Sequence, residues 1–246
     1  MTFPIVEGTN ESANTATAAT IDVSLPASIA AGELLLVVVA KGGSGTAAGV
    51  NAETGWTELV DEAVLRGAFV AYRQADGGEG ATVQFDTSQV NRSAHMAFRI
   101  SGAEAVGTQP PEISAVATGT SAAPDSNTCT PTGGAKDYLW LTFFTQAGEE
   151  ADDDTWVNNA ATNYGNLMQK TSGIGGTNVG ANLGLSRREN NAASEDAVWP
   201  AASTDQSLAW RAFTIAIHPA AAPAEDPRPT RLIVAPSLAA VQASRW

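Results

Sequence analysis

Ser88–Ile100 reads SQVNRSAHMAFRI, and Ser203–Ile215 reads STDQSLAWRAFTI. At an offset of 115, Ser88, Ala94, Ala97, Phe98 and Ile100 meet Ser203, Ala209, Ala212, Phe213 and Ile215. In the first stretch Ala94, Met96, Phe98 and Ile100 alternate with His95, Ala97 and Arg99. In the second, Arg211, Phe213, Ile215 and Ile217 alternate with Trp210, Ala212 and Thr214. A period of two sends successive side chains to opposite faces, which is the signature of a β-strand.

The match continues upstream. Pro26, Gly32-Glu33 and an apolar strand parallel Pro131, Lys136-Asp137 and an aromatic strand, at an offset near 105. Gly55-Trp56 with Leu59 parallels Tyr164-Gly165 with Leu167, and Tyr72-Arg73 parallels Ser186-Arg187. The order of elements is the same in both halves, and the drift in offset implies longer loops in the second.

Leu34–Ala40 is a run of seven apolar residues between Gly32 and Gly42-Gly43. That length and those flanks predict a strand buried on both faces. Tyr138–Thr145 is its aromatic counterpart. Further strands are expected at Ile21–Leu25, Ala68–Tyr72, Thr82–Phe85 and, interrupted by glycine, Val179–Ser186. No segment keeps a helical period over four turns; the best short helix candidate is Pro236–Ala243.

A unit of four or five strands leaves an apolar face and open edges exposed. Two such units stacked face to face bury both faces. The expected fold is therefore all-β: an antiparallel β-sandwich, jelly-roll-like, of eight to ten strands built from two related halves. Two adjacent small sandwiches are the alternative. The chain divides into a segment 1–14, a first repeat 15–105, a second repeat 106–218 and a tail 219–246.

Bulk properties narrow the function. The net charge is −13 over 246 residues, with 12 acids and 5 bases in residues 1–105 and the same again in 106–218. Nucleic-acid binding relies on Lys and Arg displacing phosphate counterions, so an acidic body disfavours it. It disfavours anionic membranes for the same reason. The single cysteine, Cys129, permits no intrachain disulfide and no cysteine-rich metal site. The N-terminus lacks the basic start and apolar run of a signal peptide, and no apolar stretch reaches the ~18 residues of a membrane span. Synthesis in a cytoplasm is expected.

Motifs for chemistry are sparse. The two histidines, His95 and His218, are far apart in sequence, and His95 falls opposite Trp210 in the repeat. Gly42-Gly43-Ser44-Gly45-Thr46 fails the nucleophile-elbow pattern at its final glycine. No lysine carries a phosphate-binding loop, and Gly173-Ile174-Gly175-Gly176 lacks a strand–helix context. Glu149, Glu150, Asp152, Asp153 and Asp154 could supply calcium ligands but lack the EF-hand spacing. Asp61, Glu62, Asp76 and Glu79 lie near Trp56 and Tyr72, as glycoside hydrolysis or sugar stacking would require. No catalytic, cofactor or metal residue is assigned, and the expectation is a non-enzyme.

The tail reads differently. Ala220–Pro229 is rich in Pro and Ala, hence extended and semi-rigid. Leu232, Ile233, Val234, Leu238, Val241 and Trp246 then make it apolar again. A spacer followed by an apolar segment suits a docking arm or a tail folding back on its own sandwich.

The segments Leu25-Pro26-Ala27, Ala31-Gly32-Glu33-Leu34-Leu35, Gly55-Trp56-Thr57-Glu58-Leu59, Tyr72-Arg73 and Asp76-Gly77 together resemble bacteriophage virion proteins of the tail-associated and capsid-decorating β-sandwich group. The resemblance covers roughly residues 15–218. It implies a structural role on the particle surface, on head or tail, made in the bacterial host cytoplasm, with other virion proteins and further copies of this chain as partners; a host-surface glycan is the partner that carbohydrate recognition would add. It brings no site residues with it. Lys136-Asp137 in place of Gly32-Glu33, and Tyr164 in place of the tryptophan, depart from the pattern. A carbohydrate-binding sandwich is the second reading and a glycoside hydrolase the third.

Overall fold

A computed structural model describes residues 2–42, 50–51, 53–64, 67–148, 157–173, 180–200 and 208–221. Among them are twelve strands and no helix. The first half supplies β1 (Ile5–Ser24), β2 (Leu34–Lys41), β3 (Val50–Asn51), β4 (Thr57–Asp61), β5 (Ala68–Gln74) and β6 (Thr82–Ser101). The second supplies β7 (Glu112–Ile113), β8 (Ala117–Gly119), β9 (Lys136–Gly148), β10 (Gly165–Thr171), β11 (Gly180–Ala192) and β12 (Trp210–Ile217). Each half keeps its strands in one antiparallel sheet. The first runs β1-β6-β2-β5-β4 with β3 on β6; the second runs β10-β11-β9-β12-β7 with β8 on β12. Read from opposite edges these orders correspond, with β2, β4, β5 and β6 in the places of β9, β10, β11 and β12.

The sheets pack face to face as a sandwich. Leu34, Leu36, Val38 and Ala40 of β2 join Met96, Phe98 and Ile100 of β6 in the central core. From the other sheet come Leu139, Leu141 and Phe143, Leu183 and Leu185, and Phe213, Ile215 and Ile217. These are the alternate residues that the period of two places on one face.

The other faces are also covered, which explains the unbroken apolar runs. Leu35, Val37 and Val39 point away from the central core into a second cluster with Ile21, Val23, Phe69, Val83, Phe85 and Trp56. The β1–β6 pair builds this cover by bending: its register shifts between Asn14 and Ala18 and again before Thr20. Bulges of this kind increase local twist and bend the strand. Trp56 and Phe85 meet edge-on with centroids 5.7 Å apart. On the second sheet, Tyr138, Trp140, Phe144, Trp210 and Ala212 pack under loop residues Val157, Tyr164, Ala197 and Trp199. The three clusters together remove water from both faces of the central strands, the arrangement that a run such as Leu34–Ala40 requires.

Two expectations are extended. Residues 5–14, set apart in the sequence, are the first half of β1 and pair with β6. The two short strands expected at 82–85 and 94–100 are parts of the single strand β6.

One end of the sandwich is tied across the sheets. Arg211 of β12 donates to Glu62 beyond β4 at 3.1 Å, and Arg92 of β6 donates to the Gly173 carbonyl after β10 at 3.2 Å. Beside them the buried Lys41 meets Asp61 at 2.5 Å.

Candidate functional site

The carboxylates singled out from sequence do not converge. Asp61 and Glu62 lie where β4 meets the start of β5, held by Lys41 and Arg211. Asp76 and Glu79 lie beyond the far end of β5 and pair with Arg73 at 3.0 and 3.3 Å. At ~3.3 Å per residue, the two pairs stand roughly 20 Å apart. Glycosidase carboxyl pairs need about 5–9.5 Å.

Both histidines are buried. His95, on the outer face of the first sheet, has Nδ1 3.1 Å from Ser12 Oγ and Nε2 2.7 Å from Ser93 Oγ. Ser12 Oγ in turn accepts from the Ser24 amide. Burial pushes the imidazole down to about 3, so it stays neutral at physiological pH. With zero exposure it meets no substrate. His218, at the end of β12, donates from Nε2 to Glu112 at 2.9 Å and abuts the edge of Tyr138. Burial lowers His218 also, against the hydrogen bond and charge of Glu112.

Glu112 is a junction. Its carboxylate accepts from the Thr132 amide and hydroxyl, from Gln109 and from His218. Partial burial pushes the carboxyl up, but the Thr132 bonds and His218 hold it below the usual carboxylate range. Cys129 is free and buried, and burial pushes its thiol up to about 12. A neutral thiol out of water is a poor nucleophile. These groups fasten the Ala103–Ser121 connector to β12.

The described tryptophans and tyrosines are core residues. Trp56, Trp140, Trp199, Trp210, Tyr72, Tyr138 and Tyr164 are all buried, so they offer no flat face for sugar stacking. Among the described residues no group of three or more His, Cys, Asp or Glu is placed to hold a metal ion. Several sequence candidates lie outside the described residues: the acidic run 149–154, positions 174–176 of the glycine-rich stretch, and the helix expected at 236–243. So do all six arm residues, Leu232, Ile233, Val234, Leu238, Val241 and Trp246.

At the end of the sandwich opposite the Glu62–Arg211 tie, a cavity of about 240 Å³ opens between the sheets. It is lined by Ile5 and Val6 of β1, Leu139 of β9, and Asn166, Arg187, Arg188 and Glu189 of β10 and β11. Both walls are irregular. The β1 register shifts between Val6 and Gly8; the β10 register shifts between Gly165 and Met168, with Asn166 at φ 51°. Ile5 is 51 % exposed, one of three large apolar side chains so exposed among the described residues.

Arg187 points into this mouth, on the same face of β11 as Leu183 and Leu185. Its Nη1 is enclosed without a hydrogen-bond partner. Arg92, Arg99 and Arg188 also keep an enclosed Nε without a partner, but each bonds through its other nitrogens. Arg73, Arg99, Arg188 and Arg211 each reach a carboxylate, and Arg92 reaches two carbonyls. Burial lowers Arg187, opposed by the charge of Glu189.

With the geometry in place, comparison with known proteins adds no relative: no family model, no curated protein and no solved structure matches the chain.

Proposed function

We propose that this chain is a non-catalytic structural protein of a bacteriophage particle, displayed as a capsid decoration, spike or tail component. The observation that carries the reading is the use made of its reactive groups. Asp61, Glu62, Asp76 and Glu79 are held by bases, and His95, His218 and Cys129 are sealed in the scaffold. Among the described residues these candidate catalytic groups hold the scaffold together, which favours a protein that acts through its surface. Burial on both faces of the central strands suits a part that must persist outside a cell. The likeness of residues 15–218 to tail-associated and capsid-decorating proteins supplies the particle.

Attachment is assigned to the tail, through Leu232, Ile233, Val234, Leu238, Val241 and Trp246, or to a sandwich edge. Many copies on one particle make weak individual contacts effective. The test is cosedimentation with particles purified from a lysate of infected cells. The full chain is expected in the particle fraction, and a chain lacking residues 228–246 in the free fraction. Retention of the truncated chain would move attachment to a sandwich edge. Absence of the full chain from particles would overturn the reading.

A further inference from the structure

We propose that the mouth between β1 and β11 binds a small monocarboxylate with an apolar edge, Arg187 holding the carboxylate. This site is independent of any particle role, because ligand binding and particle association are read separately.

The Arg187 Nη1 has no hydrogen-bond partner. A buried polar group without a partner is costly, and a charged one more so. The fold pairs the neighbouring Arg188 with Glu195 at 2.6 Å, yet Arg187, which lines the cavity, has its Nη1 enclosed with no hydrogen-bond partner. A guanidinium presents parallel N–H donors that match the two oxygens of a carboxylate.

The walls give a second, separate indication. Asn166 holds a left-handed conformation inside a register shift, and the facing strand shifts between Val6 and Gly8. Strain and bulges gather where a side chain is re-aimed toward a ligand. Here both stand on the same cavity.

Size and charge set the ligand class. A volume of about 240 Å³ lies below the range of drug-sized pockets, so it takes one small group. Ile5, Val6 and Leu139 offer that group an apolar wall. Arg187, Arg188 and Glu189 line the mouth, Glu195 offsets Arg188 at 2.6 Å, and the chain carries −13 overall. These charges oppose a dianionic phosphate or a polyanion more than a monoanion.

The experiment is amide NMR titration of the full chain with isobutyrate, glucuronate, glucose and inorganic phosphate. Saturable shifts confined to residues 5–6, 139, 166 and 187–189 are expected with one carboxylate or both. Isobutyrate alone would mark a short aliphatic acid as the ligand type, and glucuronate alone an acidic sugar. Arg187→Gln should weaken binding at least tenfold. Glu189→Gln, at an exposed position, should strengthen it several-fold, which keeps the test sound should Arg187→Gln fold poorly. No saturable shift with either carboxylate, unchanged binding in Arg187→Gln, or phosphate binding as tightly would each overturn the proposal.

Discussion

Phe98 of β6 meets Phe143 of β9 edge-on across the two sheets, with ring centroids 6.1 Å apart and planes at 77°. Phe143 also stacks on Phe213 of β12 at 5.5 Å. Phe98 and Phe213 are the paired phenylalanines of the internal repeat. The repeated residue of each half thus contacts the same ring, and the halves share one core.

Phe98→Ala should cost about 3–5 kcal/mol in chemical denaturation, as should Phe143→Ala. The double variant should cost less than the sum, by about 0.5–1.5 kcal/mol, if the rings interact directly. A single transition should report both halves. Separate transitions, with Phe98→Ala moving only one, would show two independent units.

Lys41 and Asp61 form a buried pair, with side chains 2 % and 14 % exposed. Desolvation lowers Lys41, opposed by its bond to Asp61. Removing Asp61 takes from the buried Lys41 its bonded carboxylate, while Glu62 and Glu58 still act on its charge. Asp61→Ala should therefore destabilise by about 1–3 kcal/mol, whereas Lys41→Met with Asp61→Leu should recover much of it. A loss for Asp61→Ala within about 0.5 kcal/mol, the range for surface sites, would contradict the pair's burial.

His95 gives the stability a definite dependence on pH. Its folded-state value, about 3, lies below the ordinary value of 6.5. Between these limits the unfolded chain binds a proton that the folded chain refuses. This contribution is neutral above pH 6.5 and falls progressively as the pH drops toward 3, by up to about 1.4 kcal/mol per unit. His95→Gln should flatten the unfolding free energy over that interval relative to the parent. Parallel curves for the two proteins would show that His95 protonates in the fold.

A Cβ at Gly184 would lie 2.6 Å from Cε1 of Phe144 on the adjacent strand. Glycine here lets the Phe144 ring lie over β11, where it also meets Trp199 edge-on at 4.7 Å. Gly184→Ala should cost about 1–3 kcal/mol through overpacking, seen as a lower Tm. Gly107, with nothing within 4 Å of its added Cβ, is the control and should shift little.

The parts of the fold legible in sequence are those that water exclusion writes into side chains. Leu34–Ala40 is apolar throughout because alternate residues enter two different cores. His95 and Trp210 match in the repeat because both point outward from their sheets. β1 is half hidden. From Glu7 to Asn14 it is mostly polar, and backbone pairing with β6 rather than an apolar stripe holds it. β7 and β8 are two and three residues long, too short for any period. β11 reads weakly because Gly180 and Gly184 yield space to neighbours.

The cavity is hard to read for another reason. Arg187 matches the neighbourhood of Arg73 in the repeat, and only the third dimension separates them. Arg73 is followed by Asp76 and Glu79, which pair with it. At the corresponding spacings after Arg187 stand Asn190 and Ala193, and Glu195 turns to Arg188 instead. An acid missing at those two spacings is the signal available in the sequence.

The central claim is a structural role on a particle, and the most direct test is electron microscopy of particles purified from a lysate of infected cells, labelled with antibody to this chain. The account predicts label at regular positions on a capsid or tail, with sandwich-sized density repeated at each. Label absent from every particle, with the chain recovered only as a free monomer, would contradict it.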